Sequence, residues 1–199
     1  MPTHARDRLL DAARQLFYAE GVRAVGLDRL LTVSGVGRAS FYRHFASKDD
    51  LVTAVLVRES EDYLAWLQGV VEKGAGDPLA VFDGLADRFA CADFRGCAAI
   101  NTMVEVFDVT DPAHQLAAGL KRTITAYLDT VLEAAGHTEH HELALQFMLL
   151  MDGANVTALR ERTPAAAHRA KGIAALLLAT GTGRAISTPV PVSSSHGRW

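Results

Sequence analysis

The sequence predicts an all-α chain of about nine helices, with a three-helix N-terminal head and a longer helical body. Three observations carry this. Apolar residues recur at helical spacing through most of the chain. Strand signals are almost absent, with no sustained alternation and no hairpin turn set between alternating runs. Ser or Asp caps, often followed by Pro, and glycine stops punctuate the chain at intervals that suit helices.

The elements follow in order. A first helix over residues 3–20 carries Leu9, Ala13, Leu16 and Phe17 as its apolar stripe, and Gly21 is a suitable stop. A second covers 27–33, Ser34-Gly35 turns the chain, and a third covers 38–45. Ser47 caps a long fourth helix, and Asp49 and Asp50 suit its positive end. It runs to Lys73 and stops at Gly74-Ala75-Gly76. Asp77-Pro78 opens a fifth that runs to Arg95-Gly96, and a sixth spans 97–109. Asp111-Pro112 opens the seventh, ending at Gly136. Thr138 caps an eighth to Glu161, and Thr163-Pro164 opens a ninth to Ala179. The last stretch is rich in Gly, Ser and Pro and reads as a flexible tail. The expected division is a head over 1–46, a body over 47–181 and a tail over 182–199, with the fourth helix joining head to body as a rigid lever.

Composition narrows the class. The 199 residues, 49% apolar and 22% charged, can bury a sizeable core, and no apolar run approaches the roughly 18 residues that span a membrane. The N-terminus lacks the continuous apolar stretch of a signal peptide. Two cysteines are no disulfide framework, which makes the cytoplasm the default compartment. Net charge is −3, but residues 1–50 hold eight Lys/Arg against six Asp/Glu while the remainder is acidic. A slightly basic head on an acidic body fits a protein that meets phosphates with one end.

The segment LDRLLTVSGVGRASFYRHFASKDDL, residues 27–51, is the most informative. It reads as a helix-turn-helix, whose second helix enters the major groove of DNA. Gly35 supplies the sharp turn, and Leu30, Leu31, Val36, Phe41 and Phe45 hold the helix to its scaffold. Gly37, Arg38, Ala39 and Ser40 leave the helix start short and polar where base edges approach. Arginine can donate two bonds to guanine, and alanine can touch a thymine methyl. Tyr42, His44 and Lys48 suit phosphate oxygens. The bland alternative, a solvated polar helix, must explain a tyrosine, two arginines and a histidine within seven residues.

Residues 9–51 resemble the DNA-binding region of the TetR/AcrR family of transcriptional repressors. The resemblance rests on the Gly-Val turn, the Tyr-x-His-Phe core and the Ser-Lys-acid helix start of SGVGRASFYRHFASKDDL. It implies a homodimer that binds a palindromic double-stranded operator and releases it when a small-molecule effector enters the body. By position it implies base or nearby phosphate contacts from Arg38, Ala39, Ser40 and Arg43, and phosphate contacts from Tyr42, His44 and Lys48. Many members carry Thr near the start of the second helix to hold a phosphate; here the positions read Gly26-Leu27, which leaves that contact to a backbone N–H.

In the eighth helix Leu143, Phe147, Leu150, Met151 and Ala154 form one stripe, while Leu145, Met148, Leu149, Val156 and Leu159 lie on other faces. A helix apolar nearly all round is buried nearly all round. The ninth helix is alanine-rich, which permits close helix approach. Completion of a monomer core and a dimer surface both fit; the resemblance implies dimerisation through the helices near 139–161 and 164–179. Asn101, Glu105, Gln146, Asp152 and Asn155 are polar residues in apolar stretches, and each needs a partner or a ligand. RGCAAINTMVEVF resembles a Gly-Cys-x-x-x-Asn-x-x-x-Glu stretch in a subset of that family. Candidates to line an effector site are Trp66, Phe89, Cys97, Asn101, Glu105, Phe107, Gln146 and Asn155, with internal helix–helix bonding as the alternative for each.

Cys91 and Cys97 fit buried small hydrophobes better than a redox pair. His137, His140, His141 and Glu142 are read as solvated helix-start residues rather than a zinc site. No P-loop, nucleophile elbow, H-E-x-x-H or dinucleotide fingerprint occurs, so neither cofactor nor catalytic residue is expected. The expected function is a ligand-responsive transcriptional regulator, with repressor and activator both open. The alternative is an all-helical small-molecule-binding protein or enzyme without a DNA role, whose activity would survive removal of residues 1–46.

Overall fold

The computed structural model describes residues 3–180, and among these it contains nine α-helices and no strand. The helices are α1 (Thr3–Glu20), α2 (Leu27–Ser34), α3 (Arg38–His44), α4 (Lys48–Lys73), α5 (Ala80–Phe89), α6 (Ala98–Glu105), α7 (Pro112–Ala134), α8 (His140–Glu161) and α9 (Ala165–Thr180). None is long and apolar enough to cross a membrane. The expected tail lies outside the described residues.

Two apolar cores organise the molecule. The first joins α1, α2 and α3 to the first half of α4 through Leu9, Leu16, Phe17, Leu30, Phe41 and Leu51, and takes in Ala113 from the start of α7. The second fills the body around Leu67, Phe82, Phe89, Ile124, Leu132, Phe147 and Met151. α4 belongs to both: Leu51, Val52, Val55 and Leu56 enter the first, Leu67 and Val71 the second. At 1.5 Å per residue its 26 residues span about 39 Å. Apolar burial at both ends makes it a stiff connection, and the head's core therefore extends past residue 46 to Leu56.

Its start is built locally. Ser47 Oγ accepts from Asp50 N–H at 3.1 Å, and the Asp50 carboxylate accepts from Ala46 N–H at 3.0 Å. The pair differs from a capping box by one residue: Ser47 satisfies a first-turn N–H, while Asp50 reaches back past the cap to Ala46 and fixes the chain's entry into the helix. Asp111 caps α7 as expected, accepting from Ala113 N–H at 2.8 Å, with Pro112 in the first turn.

Four expected boundaries differ. The fifth helix starts at Ala80 instead of Asp77, because Asp77 accepts from Leu79 N–H and forms an Asp-Pro turn before the helix. It ends at Phe89 instead of Arg95, because Phe94 packs on Phe89 with ring centroids 4.8 Å apart. Five residues on a helix differ by roughly 140°, so a continued helix would turn Phe94 away from Phe89. The sixth helix ends at Glu105, and Asp108 gathers the N–H and hydroxyl of Thr110 into a turn. Thr138 caps nothing: α8 begins at His140 with Glu139 at the cap and no side-chain capping bond.

Candidate nucleic-acid interface and effector chamber

α2 ends on Gly35 at φ +63°, a left-handed conformation glycine adopts without a Cβ clash. Val36 N–H then donates to Leu31 carbonyl at 3.2 Å and closes the turn. Phe41 and Phe45 sit against each other in the core, ring centroids 5.9 Å apart. They fix which face of α3 is outward. Arg38, Ala39, Tyr42 and Arg43 are exposed, as is Gly37 at the cap, while Ser40 and His44 flank them half-buried. The pairs 38/42 and 39/43 are each one turn apart, so the four share a surface. Arg43 forms no ion pair among the described residues.

Two residues are engaged by the protein itself. Arg38 Nη2 pairs with the exposed Asp28 carboxylate at the start of α2. Lys48 Nζ turns inward, donating to Val22 carbonyl at 2.6 Å and lying 6.0 Å from the centre of the Phe17 ring. In this position the Lys48 ammonium holds the α1–α2 connection against α4. Gly26, at the cap of α2, has extended backbone, no side-chain cap bond and open space where a Cβ would project.

In the body, a small chamber of about 40 Å³ lies between α1, α4, α5, α6, α7 and α8. Its walls include Tyr63, Arg88, Cys97, Leu120, Ile124 and Asn155. At one side Tyr18 Oη accepts from Arg95 N–H at 2.8 Å and donates to Gly96 carbonyl at 3.3 Å. The Arg88 guanidinium lies over Tyr63 and Trp66, 5.3 and 4.7 Å from their ring centres. Burial pushes the Tyr63 phenol up, with Cys97 adding to the shift. Tyr63 thus presents a neutral hydroxyl at any physiological pH. A small-molecule site usually encloses several hundred Å³, so an effector would occupy this chamber only by displacing its walls.

A second cleft runs along the seam between head and body, lined by Arg14, Tyr18, Val22, Glu59, Asn101 and Glu105 among others. Glu105 Oε2 accepts from Arg23 N–H at 3.1 Å, and its carboxylate packs on Gly21, which has φ +91°. A Cβ on Gly21 would lie 2.8 Å from Glu105 Oε1. The end of α6 thus grips the α1–α2 connection directly, a second mechanical link beside α4.

The expected effector residues divide. Cys97 and Asn155 line the chamber. Asn155 is buried, and its Nδ2 donates to Met151 carbonyl at 2.9 Å. Asn101 and Glu105 line the seam instead; Asn101 Nδ2 donates to Arg95 carbonyl at 2.9 Å. Trp66 packs against the body core beneath Arg88, and Phe89 is buried against Phe94. Phe107 lies outside both cavities, 74% exposed under the Arg23 guanidinium, because α6 stops before it. Gln146 stands on the outer side of α8, where Nε2 donates to Glu142 at 3.1 Å. Tyr18, Glu59, Tyr63 and Arg88 were not singled out from sequence. They come from three helices distant in the chain, and no local pattern marks them.

A helical body carrying a helix-turn-helix head is the architecture of a transcriptional regulator. Residues 9–55 match the family model described as bacterial regulatory proteins, tetR family. Over 133 residues the chain is 28% identical to the HTH-type transcriptional repressor NemR of Escherichia coli (strain K12), covering 64% of this chain and 67% of that protein. The crystal structure of SCO4454, a TetR-family transcriptional regulator from Streptomyces coelicolor, superposes with a TM-score of 0.83 at 28% identity, covering 89% of this chain and 95% of that one. The reduced form of E. coli NemR superposes with a TM-score of 0.77 at 26% identity, covering 85% and 94%. The N-terminal segment thus matches the TetR family's DNA-binding region, and the whole described chain is similar in fold and sequence to TetR-family transcriptional regulators.

Proposed function

We propose that this regulator is a repressor that binds a palindromic operator as a homodimer and is released by a small molecule entering the chamber. The observation that carries the DNA half is the outward face of α3: Arg38, Ala39, Tyr42 and Arg43 exposed together, with Gly37, Ser40 and His44 around them, on a helix anchored by Phe41 and Phe45. In this reading Arg38 and Ala39 read base edges, and Tyr42, Arg43, Ser40 and His44 hold phosphates. Lys48, which in the free protein holds the α1–α2 connection, exchanges that carbonyl for a phosphate on binding.

The dimer half rests on α8 and α9. One side of α8 is buried through Leu143, Phe147, Met151 and Ala158, while Leu145, Leu149, Val156 and Leu159 are exposed on the other, beside Ile173 and Leu176 of α9. A contiguous apolar stripe in water is costly and marks an interaction surface. A second copy placed there brings two recognition helices to half-sites about 34–36 Å apart. The effector half rests on the chamber, with Cys97 and Asn155 as contacts from the expected set and Tyr63 and Arg88 added. An effector that binds best when α4 and α6 are displaced opposes DNA binding, with a coupling of roughly 1–3 kcal/mol or more. Residues up to about 46 carry the reading helices, the first half of α4 completes their core, and the rest of the body senses and dimerises. The compartment is the cytoplasm, where the DNA is.

Gel retardation with genomic fragments from the host at physiological salt tests the reading. Specific retardation by a dimer supports it; no fragment-specific retardation, or binding by a stable monomer, overturns it.

A further inference from the structure

The corner between α7 and α8 holds a group that neither the DNA face nor the chamber uses. Asp129, near the end of α7, reaches the first turn of α8, where its Oδ1 lies 2.5 Å from His140 Nδ1 and its Oδ2 lies 2.8 Å from His141 Nδ1. One donor atom from each residue falls within 4.8 Å of the others. The two imidazole centroids are 4.3 Å apart. The Asp129 and His140 side chains are mostly covered, at 23% and 19% exposure, whereas His141 is open at 81%. His137, adjacent in sequence, is not part of the group.

We propose that Asp129, His140 and His141 bind a first-row divalent transition metal ion of the zinc class. Two imidazole nitrogens and one carboxylate oxygen suit zinc, cobalt or nickel, whereas magnesium and calcium favour all-oxygen shells. Two ligands sit on successive residues of one helix and the third on the helix packed beside it. The set is therefore gathered by the fold rather than by the ion. Donors about 2.0–2.1 Å from a tetrahedral ion are separated by roughly 3.3 Å, so the carboxylate has to retreat from each ring by less than about 1 Å. Each neutral imidazole then carries its proton on Nε2 and presents Nδ1 to the ion. Three protein ligands leave a coordination position open. Beside it lies a cleft lined by Asp129, His141 and Leu145, and Leu145 belongs to the exposed apolar stripe of α8. The ion would thus sit at the edge of the proposed dimer surface. Arg122 lines the same cleft and the α8 N-terminus is positive, so binding is weaker than at a buried four-ligand site.

The test uses the untagged full-length protein, dialysed against Co2+ and read by metal content and visible absorption. The expected result is one Co2+ per chain with the d–d bands of a low-coordinate ion, displaced by Zn2+, and an affinity at least tenfold weaker in Asp129→Asn and His141→Gln but unchanged in His137→Gln. His141 is exposed, so its substitution leaves the fold intact, which circular dichroism checks. Absence of stoichiometric Co2+, or equal uptake by wild type and His141→Gln, would show a hydrogen-bonded cluster only and overturn the proposal.

Discussion

Arg38→Ala separates base reading from phosphate holding. In the free protein the Arg38 guanidinium pairs with the Asp28 carboxylate, both exposed to solvent. A good bidentate contact to guanine discriminates by about 1–3 kcal/mol, and an exposed ion pair is worth about 0–1 kcal/mol. Exchanging one for the other leaves a net gain of about 1–2 kcal/mol, or roughly 5- to 30-fold in affinity. Removal of Arg38 should therefore weaken operator binding by that factor, and almost all of the loss should fall on one base pair of each half-site. Asp28→Asn should do the opposite, strengthening binding to every DNA by freeing Arg38 and removing a negative charge from the face. Competition fluorescence anisotropy on a panel of operators, each substituted at one position, measures both. Equal loss on every sequence for Arg38→Ala would refute base reading by this residue and make it a phosphate contact. Weaker binding by Asp28→Asn would refute the exchange.

Other perturbations bear on the rest of the molecule. Leu149→Glu, on a residue 74% exposed in the monomer, should leave the fold intact and raise the dimer dissociation constant by about two orders of magnitude, as expected for a charge buried in an interface core; sedimentation velocity reads this. Gly21→Ala places a Cβ 2.8 Å from Glu105 Oε1 at φ +91°, so it should destabilise by about 1–3 kcal/mol, and combining it with Glu105→Ala should cost less than the two effects summed in thermal melts. Gly26→Thr, into open space at the cap of α2, should strengthen binding to all DNA sequences alike by supplying a hydroxyl for a phosphate, measurable as a uniform shift across the same panel. Arg29 holds the Glu20 carboxyl below its ordinary range, so that pair contributes stability above the unfolded value of 4.5 and loses it as pH falls through the folded one; Glu20→Gln should flatten this part of the acid limb in chemical denaturation.

The DNA-reading segment was legible because its determinants are local. Gly35 at the turn, Ser47 at the cap, and the alternation of buried Phe41 and Phe45 with exposed Arg38, Tyr42 and Arg43 all lie within fifteen residues. What sequence missed is long-range. Phe94 ends α5 by joining Phe89, and the helical period gives no sign of it. Lys48 reaches Val22 and Glu105 reaches Gly21 and Arg23, contacts that exist only once α1, α4 and α6 pack. Phe107 looked like chamber wall only while α6 was extended through it. Likewise His140 and His141 gain their meaning from Asp129, eleven residues back across a helix corner.

The most direct test of the central claim is selection from a random double-stranded DNA pool with the full-length protein, followed by sequencing and a stoichiometry measurement on the enriched site. The expected product is an inverted repeat whose half-sites are centred about one helical turn, or a multiple of it, apart, bound by an even number of chains. Enrichment of no sequence, or of a single half-site bound by one chain, would contradict it.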